Sequence, residues 1–258
     1  MKEFTQLRFE QRGHVAVLTL DSPPVNALTR ILNDELTEAL DIVSETPGIR
    51  AVVLTGAGKV FCAGADLKGR AGNIRHPGDM MAHARRTREC FHAIRECAKP
   101  VIAAINGAAL GSGLAMVASS DILVASERAV LGLPEVDVGL LGGCSHAMRL
   151  FSHSRLRRMA LTGYRVGAEE LYRLGIVEAC TAAEELLPTA MELAASVAAK
   201  SPVSTRMGKH TLNVIEDMSL RDGYRYEQDM TAAIGLTDDA KEAQLAFREK
   251  RAPVFHGR

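Results

Sequence analysis

From Val15 to Ala125 the chain alternates short apolar runs with stretches of helical spacing, and that alternation restricts it to a layered α/β architecture. Leu7–Glu10 and Val15–Leu20 flank the turn Gln11-Arg12-Gly13-His14 and read as a hairpin. Leu32, Leu36, Leu40 and Val43 recur on one helical face, so the spacing predicts a helix over Leu28–Val43. Ala51–Leu54 reads as a short buried strand ending at Thr55-Gly56-Ala57-Gly58. A helix over 81–97 follows, then strand Val101–Ile105, a small-residue helix from about Ser112, and strand Ile122–Ala125. Beyond about residue 150 the strand period fades. Helical patterns take over at Ser154–Thr162, Ala168–Leu174, Ala182–Lys200, Val203–Glu216, Leu220–Gly235 and Ala240–Lys250. The expectation is an α/β core over 1–195 and a helical region over 196–258, with no glycine- and serine-rich linker between them. Residues 69–80, polar and interrupted by glycine and proline, read as a loop of the kind that covers a pocket.

Composition narrows the function classes. Lys plus Arg equals Asp plus Glu at 31 each, which lacks the basic excess of a nucleic-acid binder. No apolar run approaches the roughly 18 residues of a membrane span, and the first residues do not pattern as a signal peptide, so a cytoplasmic protein is expected. The five cysteines, odd in number and without a CxxC pair, read as reduced thiols, and the scattered histidines suggest no metal site.

Chemistry enters with two glycine-rich turns that each follow a short apolar strand: Val60-Phe61-Cys62-Ala63-Gly64-Ala65-Asp66-Leu67 and Asn106-Gly107-Ala108-Ala109-Leu110-Gly111-Ser112-Gly113. Glycine and alanine let a ligand approach the main chain and leave N–H groups free to donate. The second turn also opens a helix, whose N-terminus favours negative charge. Neither turn carries a GxGxxG or GxxxxGK[ST] nucleotide fingerprint.

Taken together, and with Ser120-Asp121-Ile122, Leu131-Gly132-Leu133-Pro134-Glu135, Val138-Gly139-Leu140, Asp239-Ala240-Lys241-Glu242, Ala246-Phe247 and Lys250-Arg251 in order along the chain, these segments resemble the crotonase, or enoyl-CoA hydratase/isomerase, superfamily. The resemblance implies an α/β spiral of β-β-α units with a C-terminal helical region, assembled as a homotrimer or a homohexamer. It implies an acyl-CoA substrate and no cofactor beyond the coenzyme A that the substrate carries. The amides of Ala65 and Ser112 would grip the thioester carbonyl. The main chain around Ala63, Asp66 and Leu67 would hold the adenine end of coenzyme A, with Lys68 near its phosphates. Phe247 and Lys250 would close over the coenzyme, from a neighbouring subunit if need be. Pro23 stands where the family often has a basic residue, which leaves Arg30 as the substitute phosphate contact.

The same resemblance exposes a departure. Hydratases of the superfamily present two glutamates, one after the second turn and one following the proline. This chain has Ala115 at the first position and Glu135 at the second. A lone glutamate suits moving a proton between carbons, with Leu133, Val136 and Val138 as apolar neighbours that lift its pKa. Hydration is the other reading, with water held around Gly143 and Glu135 serving as both acid and base; another enolate reaction of the superfamily on acyl-CoA is an alternative, and a non-hydrating acyl-CoA-binding protein is the rival of a different class. His146 is read as a helix-start residue bonded to backbone, or as a group orienting water or substrate. Cys62 is read as packing, Asp137 as a loop carboxylate, Arg155, Arg157 and Arg158 as a solvated helix face, and Met80-Met81 as pocket wall or core.

Overall fold

The computed structural model describes residues 3–67, 69, 72 and 74–258. The expected hairpin forms: β1 (Leu7–Arg12) pairs antiparallel with β2 (Val15–Leu20). Next come α1 (Arg30–Glu45), β3 (Ala51–Gly56), β4 (Val60–Cys62), α2 (Asp79–Glu96), β5 (Val101–Ile105), β6 (Ala108–Leu110), α3 (Ser112–Ser119), β7 (Ile122–Ser126) and β8 (Val130–Gly132). The spacing of Leu32, Leu36, Leu40 and Val43 is realised as the buried face of α1, whose N-cap Thr29 accepts from the Leu32 amide at 3.0 Å.

Two sheets share this chain. The larger runs β1-β2-β3-β5-β7-β10, parallel throughout except for the hairpin, and the smaller runs β4-β6-β8-β9. Three times in succession, a strand of the large sheet (β3, β5, β7) turns a corner of two or three residues and continues into the small one (β4, β6, β8). Helices follow the first two of these pairs, α2 after β4 and α3 after β6, so the repeated unit is β-β-α. Amide side chains brace the corners: Asn106 accepts from the Gly56 amide at 3.1 Å and donates to the Gly58 carbonyl at 3.0 Å. The two glycine-rich stretches thus contain β4 and β6, three-residue strands that the sequence reading had absorbed into turns.

Beyond β8 lie a 3₁₀ turn (Pro134–Val138), α4 (Cys144–Ala147), α5 (His153–Thr162), β9 (Arg165–Gly167), α6 (Ala168–Arg173), β10 (Ala179–Thr181) and α7 (Leu186–Ala198). α7 covers one face of the large sheet, packing Leu186, Ala190, Ala194 and Ala198 on Val15, Val17, Val53 and Ile102. The opposite face meets α1, α2 and α3 in the larger apolar core. The helical end follows as α8 (Pro202–Ile215), α9 (Leu220–Gly235) and α10 (Asp238–Glu249). α8 plugs into the core through Lys209, which is buried, donates to the carbonyls of Ile94 (3.0 Å) and Lys99 (3.2 Å), and pairs with Asp121 at 2.8 Å. Asp121 in turn accepts from the Val101 amide at 2.7 Å, and burial outweighs Lys209 and raises its pKa above the ordinary carboxylate value.

Some surface expectations change. Arg157 and Arg158 lie on an exposed helix face as expected, while Arg155 pairs with Glu170 at 2.6 Å and Arg158 also stacks over Tyr164 at 3.6 Å. The loop expected over 69–80 falls partly outside the described residues, and its last two, Asp79 and Met80, open α2. All five cysteines are free thiols. Among the described residues no helix is long and apolar enough to cross a membrane, and no group of three or more His, Cys, Asp or Glu could hold a metal ion.

Candidate active site

Parallel pairing of β4 with β6, Val60 to Ala108 and Cys62 to Ala109, sets the ends of the two glycine-rich segments side by side. They can approach only because the second is bare: a Cβ built on Gly113 would lie 2.4 Å from the Cys62 carbonyl oxygen. Ala65 forms an isolated bridge with Leu28, whose amide donates to the Gly64 carbonyl at 2.8 Å. Because the Gly64–Ala65 peptide is trans, its N–H points opposite that carbonyl, turning the Ala65 amide away from Leu28. Ser112 is the first residue of α3, in the turn where a helix leaves its amides without internal acceptors. The first ladder bond runs from the Ala115 amide to the Gly111 carbonyl at 3.0 Å.

Both Ala65 and Ser112 line a cavity of about 620 Å³, together with Glu135, Gly143, Ala115 and His146. Glu135 rides on the 3₁₀ turn opened by Pro134, so that its carboxylate lies against two glycines. A Cβ on Gly111 would meet its Oε1 at 2.5 Å, and one on Gly142 would meet it at 3.2 Å. Gly111 also has φ +54°, so any side chain there is excluded twice over. Oε2 of Glu135 is buried with no hydrogen-bond partner among the described residues. Burial raises the pKa of this carboxyl above its ordinary value, and a hydrogen bond from backbone offsets it only in part.

Of the other residues singled out, Ala63 and Leu67 line the cavity. Asp66 does not; its carboxylate accepts from the Gly69 amide at 3.0 Å. Lys68 lies outside the described residues. Phe247 and Lys250 sit on and after α10, away from the cavity of their own chain, with Phe247 86% exposed. Ala115 is fully buried beside the cavity, so no carboxylate enters from α3. Cys62 is buried and its thiol is pushed up to about 12, which fits packing and not nucleophilic attack. His146 lies in the first turn of α4, as expected, but its side chain makes no hydrogen bond to backbone among the described residues; the ring instead meets Phe91 edge-on at 5.1 Å. Asp137 lines the cavity, its carboxylate against Gly163.

Of one wall the sequence anticipated Met80 alone; Met81, read with it, is exposed and does not line the cavity. α2 turns Met80, His83, Ala84, Thr87, Arg88 and Phe91 to the cavity at steps of three and four, and Arg165 of β9 joins them. The helical period of 81–97 was visible; which face it would show to a pocket was not.

Comparison with known proteins now bears on this arrangement. A family model for enoyl-CoA hydratase/isomerase matches residues 10–258. A Mycobacterium tuberculosis protein, (7aS)-7a-methyl-1,5-dioxo-2,3,5,6,7,7a-hexahydro-1H-indene-carboxyl-CoA hydrolase, is 37% identical over 92% of this chain and 96% of its own. The mitochondrial enoyl-CoA hydratase of Pongo abelii is 33% identical over 98% of this chain and 88% of its own. The crystal structure of an enoyl-CoA hydratase from Bacillus anthracis superposes with a TM-score of 0.93 at 32% identity, covering 98% of this chain and 100% of that one. Fold, chain-length match and family model agree, and the chain is an enzyme of the enoyl-CoA hydratase/isomerase family.

Proposed function

We propose that this enzyme shifts a double bond in an enoyl-CoA thioester, with Glu135 as its single acid and base. The supporting observation is the position of the Glu135 carboxylate, half-buried, unpaired at one oxygen and packed on Gly111, the residue before Ser112. In this reading the amides of Ala65 and Ser112 hold the thioester carbonyl. Ionised Glu135 removes a proton from the α-carbon of a β,γ-enoyl thioester. The electron pair moves onto the carbonyl oxygen, giving a dienolate held by the two N–H groups, an arrangement in which one donor is worth about 3 kcal/mol. Glu135, now protonated, returns the proton at the γ-carbon, and the double bond ends conjugated with the carbonyl. A raised pKa suits both halves of that shuttle.

Coenzyme A would rest along the main chain of Ala63, Asp66 and Leu67, with Lys68 toward its phosphates. Phe247 and Lys250 would reach it from a neighbouring copy in a trimer or hexamer, since they lie away from the cavity of their own chain. Residues 196–258 would then serve as the oligomerisation region, appended to a core of 1–195. Hydration is the second reading, favoured by the named activity of the Pongo abelii relative. It would need Glu135 to act alone with water held at Gly143, because Ala115 supplies nothing.

Crotonyl-CoA and a β,γ-enoyl-CoA, followed by the absorbance of the conjugated thioester, separate the two. A gain from the β,γ substrate is the expected result; loss of the crotonyl signal with no such gain establishes hydration instead. Glu135→Gln should lower the rate by about 10³-fold or more. An unchanged rate would remove Glu135 from the mechanism.

A further inference from the structure

The inner end of the cavity is less hydrocarbon-like than a fatty acyl chain requires. Thr87 and Phe91 stand one turn apart on α2 and line the cavity with His146 of α4, whose ring meets Phe91 edge-on; α3 with Ala115 contacts both helices. Thr87 accepts one long bond from the Asn33 amide at 3.4 Å, which leaves its hydroxyl proton to give. Neither ring nitrogen of His146 has a partner among the described residues. Behind His146, Arg95 and Arg149 share the single carboxylate of Glu216 at 2.9 and 2.7 Å, and His92 stands nearby, so positive charge is in surplus. Burial first, then His92, Arg149 and Arg95, hold the imidazole below its ordinary pKa, which makes it a neutral ring with one N–H to donate.

A plain alkyl tail in this recess would displace water from the hydroxyl and the imidazole and return nothing. An oxygen acceptor would satisfy both donors, and the positive charge behind them would strengthen each bond. We propose that the Thr87–His146 recess selects acyl groups carrying a hydrogen-bond-accepting oxygen, keto or carboxylate, remote from the thioester; this rests on the acyl-CoA reading above.

Saturated esters test selection apart from reaction, because they have no double bond to move. Calorimetric binding of a straight-chain acyl-CoA, its oxo analogue and its terminal carboxylate analogue, all of equal chain length, reads the preference directly. One of the two oxygenated esters should bind about tenfold tighter than the plain one, and which of them does so identifies the acceptor. His146→Phe should bring that ratio to within about twofold. Thr87→Val should lower it part of the way, and reads the same ratio if the histidine variant fails to fold. Equal or tighter binding of the plain ester by the unaltered protein overturns the proposal, as does a uniform loss for all three esters in the histidine variant. Binding without preference removes this inference alone; no binding by any ester removes the acyl-CoA reading with it.

Discussion

Two walls of one cavity are built in opposite ways. The wall around Ala65, Gly111, Ser112 and Gly113 is main chain, with glycines at the closest approaches and the Glu135 carboxylate pressed against them. The wall of α2 is side chain: Met80, His83, Thr87 and Phe91 project from a helix whose backbone is already satisfied by its own ladder. Main-chain donors cannot be exchanged by substitution, whereas projecting side chains can be replaced one at a time. Under the proposed function, the first wall would carry the enolate chemistry and the second would meet the acyl group.

The sharpest way to break that contrast is to add one methyl to the backbone wall. Gly111→Ala must move a Cβ that falls 2.5 Å from Glu135 Oε1 while holding φ at +54°. Turnover should fall by about 10²-fold or more, with a stability loss of about 2 kcal/mol in a denaturant titration. A variant with near-normal turnover would mean that the carboxylate is not held by this contact. Gly113→Ala, whose Cβ would sit 2.4 Å from the Cys62 carbonyl, should cost less turnover, because its strain falls on the seam between the two strands' ends and not on the carboxylate. Thermal melting and single-turnover rates together measure both.

Changes to the side-chain wall should be smaller and of another kind. Met80→Ala removes a half-exposed side chain from the mouth of the cavity, so stability should stay within about 0.5 kcal/mol. KM for long-chain esters should rise about threefold with kcat little changed, and a fall in kcat instead would put α2 in the chemistry.

The last prediction concerns pH. The folded protein holds the Glu135 proton to a higher pH than the unfolded chain, whose ordinary value is 4.5. Stability therefore declines as pH rises from 4.5 through the raised value and stays lower beyond it. Activity runs the other way, rising over the same window as the base ionises. In Glu135→Gln the stability decline should vanish, which paired melting curves at several pH values would show.

What could be read in advance follows the same division. Hydrophobic period located α1, which buries one face, and β5, which is buried throughout, to within about two residues, and it also placed α9, although that helix buries little more than Gly223 in the single chain. It missed β4, β6 and β8, because three residues are too few to show alternation and their pairing is decided by the corner before them. Glu135, Ala65 and Ser112 stood out because the glycine-rich and proline-led segments that carry them resemble those of the superfamily. His146 was legible as a group that could orient water or substrate, but Thr87 was not, because its place beside the cavity depends on how the helices pack. Phe247 and Lys250 illustrate the complementary limit: one chain gives them no cavity to touch.

The Lys209 plug has a consequence for how the protein is made. The Ile94 and Lys99 carbonyls leave the ribosome 115 and 110 residues before Lys209 does, and Asp121 follows them but still well ahead of it. Arg50 waits longer still, for the carbonyl of Phe255. During translation the α/β layers can collapse around their apolar faces, with Arg149 the cation near Asp121 until α8 brings Lys209 into direct contact with it. The last stretch of chain therefore adds the close ion pair and the two carbonyl bonds that lock the sheet ends to the helical region.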